Sequence, residues 1–160
     1  MENEILLKEL EKKFDLLKKE LGFRYNLDDI DSIFFIKDYI LSVKFISSSL
    51  SRQICLRIID TYTSWISYMH TIIFPQTYDI INLTESGFFN EKEKKEISKM
   101  ISKVIVLVRT NSIAGLTKDK KIEAWFIDEA VDFWRKEFYS FLIKIIKKVN
   151  EGWKNYNKLL

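Results

Sequence analysis

The sequence predicts an all-α fold: an elongated antiparallel bundle of four to five helices in a single helical domain, residues 1–160. Three observations predict it. One proline and four glycines in 160 residues leave few interruptions to long helices. Apolar residues recur at helical spacing along most of the chain. The stretch Leu50–Phe74 is apolar nearly all round, and such a helix belongs in the middle of a bundle.

The first helix spans residues 3–21. Ile5, Leu6, Leu10, Phe14, Leu17 and Leu21 form its stripe. Gly22 ends it in the C′ position, with Phe23 as the usual hydrophobic contact. Asn26 is a good N-cap for the next helix, and Asp28, Asp29 and Asp31 suit the helix dipole in its first turn. From Asp28 the apolar pattern runs through Ile33, Ile36, Ile40, Val43 and Ile46 into Leu50–Phe74. This is a long central helix over 28–74, with a kink or short break at Ser47-Ser48-Ser49, where serines compete for backbone hydrogen bonds. Pro75 stops it.

Residues 76–89 read as a connection, with a helical turn near Tyr78–Leu83. Asn90 with Glu93 matches a capping box. The helix that follows spans 91–110, polar first and apolar from Ile97. Residues 111–121 form a loop containing Gly115. A long C-terminal helix runs from about Lys120, lined by Phe126, Phe133, Phe138, Leu142, Ile145, Val149 and Trp153. Gly152 is expected to loosen its last turns.

Composition narrows the class of function. Hydrophobic residues are 47% and charged residues 31%, which excludes a disordered or fibrous chain. The net charge of +3 permits an acidic partner without requiring one. The lone Cys55 fits a reducing cytoplasm. The N-terminus is charged from its second residue, unlike a signal peptide. Thr61–Tyr78 lacks formal charge, but its threonines, serines and His70 mark a core helix, so no membrane partner is expected. Abundant Lys, Glu and Ile with two glutamines resembles a thermophile's usage, although an AT-rich genome gives the same bias.

No catalytic constellation is present in the sequence, and no cofactor or metal is expected. A ferritin-like site needs Glu-x-x-His pairs, whereas the only histidine, His70, follows Ser67. Asp28, Asp29 and Asp31 are explained by capping. Glu93-x-x-Glu96 and Glu129-x-x-Asp132 are spaced to chelate Mg²⁺, but Glu93 and Glu96 sit among lysines as on a solvated face. A buried polar network is expected from Arg57 and Asp60, extended by His70, Asp128, Asp132 or Arg135, because buried charges need partners.

The basic residues are the clearest binding signal. Lys144, Lys147, Lys148, Lys154 and Lys158 share a face of the last helix, beside Trp153 and Tyr156. Lys118, Lys120 and Lys121 precede that helix. Lysines with aromatics hold phosphates and stack bases. The leading reading is nevertheless a non-enzymatic helical interaction or scaffold module. It self-associates, most simply as a dimer, because the chain carries more apolar and aromatic helix surface than a small bundle must hide. The alternatives are a nucleic-acid-binding subunit using the lysine stripe and a metal-dependent hydrolase of a phosphorylated small molecule.

Overall fold

The computed structural model describes residues 2–158. The protein is all-α, with no strand among the described residues. The helices are α1 (Glu2–Leu21), α2 (Leu27–Phe34), α3 (Ile36–Val43), α4 (Leu50–Ile73), α5 (Ile80–Gly87), α6 (Glu91–Thr117), α7 (Lys120–Phe133) and α8 (Tyr139–Asn157). A π-helical turn, Trp134–Phe138, lies between α7 and α8.

The expected helix over 28–74 is divided twice. Phe35 takes left-handed backbone angles (φ 53°) and ends α2, its amide donating to Asp31 O. Asp31 then turns its carboxylate to the first turn of α3, accepting from the Lys37 amide at 2.7 Å. The second break is at Lys44 (φ 54°) and the residues up to Ser49. Gln53 supports it: its Oε1 accepts from the Ser47 amide, and its Nε2 donates to Phe45 O. Pro75 ends α4 as expected.

Three more expectations change. The 111–121 loop shrinks to Lys118 and Asp119, because α6 runs on to Thr117. Gly115 stays helical beneath the Arg52 guanidinium, where a Cβ would come within 2.9 Å of Nη2. Arg52 in turn donates to Asn111 Oδ1 at 2.7 Å. The long C-terminal helix is interrupted by the π turn. Gly152 does not loosen α8. It is a close-packing position, where a Cβ would lie 2.4 Å from the Phe88 ring.

The chain forms two compact units. One comprises the residues up to Tyr62 together with Leu107–Asp132. Its core includes Leu10, Phe14, Ile30, Phe34, Ile58 and Phe126. Gly22 (φ 73°) turns the chain after α1, so that Phe23 is buried against Phe14. Buried Tyr62 donates to Ala130 O at 2.7 Å. Cys55 is fully buried here, and burial, with the charge of Glu123, pushes its thiol up to about 12. The thiolate is the reactive form. Thiol reagent at pH 8 is therefore expected to label Cys55 only as the protein unfolds, so labelling in step with denaturant checks this packing, and prompt labelling of the native chain contradicts it.

The other unit comprises Thr63–Val106 and the residues from Phe133 onward. Met69, Ile72, Ile97, Val104, Phe138, Leu142 and Ile145 are buried in it. Within it α6 and α8 run antiparallel. Lys148 meets Glu93 and Lys144 meets Glu96 at 3.3 Å, in reversed order along the two helices, and Lys103 of α6 meets Glu137 of the π turn. Among the described residues one helix, Glu91–Thr117, is long and apolar enough to cross a membrane by length and composition. A third of its most apolar stretch is buried.

Candidate functional site

The residues expected in the buried polar network differ in exposure. Asp60, His70 and Arg135 are exposed, and Arg57, Asp128 and Asp132 are half-buried. Arg57 donates Nε to Phe34 O at 2.9 Å and lies over the Tyr39 ring. Asp128 and Asp132 are one turn apart on α7 and hold Arg24, Asp132 at 2.7 Å and Asp128 at 3.3 Å. Asp128 also accepts from the Arg24 amide, and Asp132 from the Tyr25 hydroxyl. Hydrogen bonds to Asp132 and then Asp128 hold the guanidinium still more firmly protonated. This clamp fixes the α1–α2 connection on α7.

A different carboxylate is the buried one. Glu123 accepts from Ser51 Oγ at 2.6 Å and from Lys120 Nζ at 3.0 Å. Lys120 also reaches Ser49 Oγ and Ser51 Oγ, each at 3.0 Å. Its ammonium is thus committed to the start of α4. No group of three or more His, Cys, Asp or Glu is placed to hold a metal among the described residues.

The lysines divide. Lys144 and Lys148 pair with glutamates of α6, and Lys120 pairs with Glu123. Lys118, Lys121, Lys147, Lys154 and Lys158 are exposed. Glu93 closes the α6 capping box by accepting from the Asn90 amide at 2.9 Å, while the Glu93 amide donates to Asn90 Oδ1 at 3.0 Å. Lys148, and then the Asn90 amide, hold the Glu93 carboxyl below its ordinary range. The folded value is therefore the lower one. The stabilisation is present above the ordinary glutamate value of about 4.3 and is lost as pH falls through the depressed one. Thermal melts should show Glu93→Gln below wild type at pH 7, with the two converging once the carboxyl is protonated. A constant gap across that range would contradict the pairing.

A run of exposed apolar residues lies where sequence spacing ends one helix and begins a connection. Five of the ten residues in Phe74–Leu83 are large and apolar and stand in solvent: Phe74 (65% exposed), Tyr78 (85%), Ile80 (73%), Ile81 (56%) and Leu83 (42%). The segment is nonetheless firmly held. The Phe74 amide donates to His70 O, and the two rings lie 5.1 Å apart. Asp79 caps α5, its Oδ1 accepting from the Ile81 and Asn82 amides at 2.9 and 3.1 Å. Buried Ser86 donates to Ile72 O at 2.6 Å, satisfying a carbonyl that the end of α4 leaves open. Glu85 accepts from Trp153 Nε1 at 2.9 Å and from the Tyr68 hydroxyl at 3.1 Å. Burial, then the nearby Glu85 charge, raises the Tyr68 hydroxyl above its ordinary range and keeps it a donor. The inner side of α5 is therefore pinned by three hydrogen bonds while its outer side offers apolar groups to water.

Compared with protein-family models, curated proteins and solved structures, the chain matches none.

Proposed function

We propose that this protein is a helical protein-interaction module that associates with copies of itself in the cytoplasm. One observation carries the reading. Phe74–Leu83 exposes five large apolar side chains on a segment held in place by Asp79, Glu85 and Ser86. Exposed apolar groups on a loose loop cost little to leave, since a loop can fold them away. A rigid segment cannot, and apolar groups held exposed together in this way mark an interaction site. Rigidity also lowers the ordering entropy that binding must overcome. The buried, unpaired Cys55 supports a reducing compartment.

Light scattering over a concentration series tests the reading. The expected result is a mass that rises from one copy toward two or more. A single-copy mass at every concentration overturns it.

A further inference from the structure

We infer that Phe74–Leu83 is the seam of self-association, packing against the same segment of a second copy about a twofold axis. This rests on the self-association reading above and adds the surface and the partner. Area is the first argument. At about 150–250 Å² for a large side chain, weighted by exposures of 42–85%, the five groups leave on the order of 600 Å² in solvent. Two copies together supply at most on the order of 1,200 Å², the lower bound of a standard stable interface.

Charge is the second argument, and it selects the partner. Residues 58–91 contain neither lysine nor arginine. The segment's only formal charge is Asp79, whose carboxylate is spent on capping α5. An acidic protein, a nucleic acid or an anionic bilayer finds no cation within the segment to pair with. A second copy finds apolar groups opposite apolar groups, and no uncommitted like charges are brought together. Closure is the third. One short continuous segment meeting itself makes an isologous contact, which ends at the dimer instead of propagating.

The test uses the full chain and two variants with opposite charge, Tyr78→Glu with Ile80→Glu and Tyr78→Lys with Ile80→Lys. Both residues stand outside the core, so circular dichroism should match wild type. Leu16→Glu, on the exposed side of α1, is the control. Each charged variant alone should bind itself at least roughly a hundredfold more weakly, because like charges juxtaposed in an interface cost several kilocalories per mole. An equimolar mixture of the two should recover a heterodimer by light scattering, and the control should remain dimeric. A wild-type dimer untouched by either variant overturns the seam and leaves the self-association reading standing. Monomeric variants whose mixture stays monomeric overturn the twofold arrangement. A monomeric wild type overturns both readings.

Discussion

Gly152→Ala is expected to lower the stability of the protein by up to about 2 kcal/mol, against the helix propensity scale. Alanine in a helix interior is normally better than glycine by about 1 kcal/mol. Here the added Cβ would lie 2.4–2.6 Å from three atoms of the Phe88 ring, including Cγ near its root. A ring gripped at that point cannot swing aside as the tip of a flexible side chain would. It also makes an edge contact with Trp153, whose indole N–H is committed to Glu85. Overpacking of this sort costs about 1–3 kcal/mol and outweighs the propensity gain. In a chain of this size the melting temperature should fall by about 2–4 °C for each kcal/mol. Phe88→Leu should relieve part of the loss when combined with Gly152→Ala, so a double-mutant cycle isolates the contact. A Gly152→Ala variant more stable than wild type would show that the helix tolerates the methyl and that the close approach is not rigid.

Lys120→Met is expected to cost about 2 kcal/mol. Removing one member of a buried pair costs about 3–5 kcal/mol, and the figure is reduced here because the Lys120 side chain is 45% exposed. The loss falls on Glu123, whose own side chain is only 3% exposed and would keep the Ser51 hydroxyl as a donor. Lys118→Met and Lys121→Met, at exposed neighbouring positions, should change stability by less than about 0.5 kcal/mol. Chemical denaturation of the three variants separates a structural lysine from two solvated ones. Equal effects at all three positions would remove the special place of Lys120. Glu123→Leu added to Lys120→Met should recover much of the loss, since a buried pair replaced by apolar groups is often neutral.

Local chemistry was legible in the sequence wherever the cause lay within a few residues. Gly22 after α1, the Asn90–Glu93 capping box and Pro75 after α4 each act on their own neighbours, and each stands where spacing put it. The errors arose where the deciding partner is remote. Gly115 reads as a loop glycine until Arg52 lies across it, and Gly152 reads as a weak point until Phe88 packs on it. The division at Phe35 was missed for another reason. Asp31 looked like one more first-turn acid, whereas its carboxylate caps the following helix and a bulky residue is held left-handed beside it.

The candidate site was the least legible part. The lysine pattern is visible in one dimension, but its pairing with Glu93 and Glu96 depends on which helix lies opposite. Tyr78, Ile80, Ile81 and Leu83 read as part of a connection with a helical turn, and their exposure depends on α5 being anchored by Ser86 and Glu85 on its other side. One signal was available: a run of apolar residues within a long stretch lacking any cation.

That missing cation has a consequence for proteolysis. Trypsin recognises lysine or arginine through an acidic pocket, so the backbone between Arg57 and Lys92 offers it no cleavage site. A digest of the unfolded chain leaves Ile58–Lys92 in one piece, with every residue of the exposed segment on it. Chymotrypsin, with its hydrophobic pocket, meets Tyr78 standing in solvent on the folded chain, while Pro75 protects the bond after Phe74. The native protein thus joins a region silent to one protease with an exposed residue suited to the other, and whatever covers Tyr78 should slow cleavage by the second enzyme there.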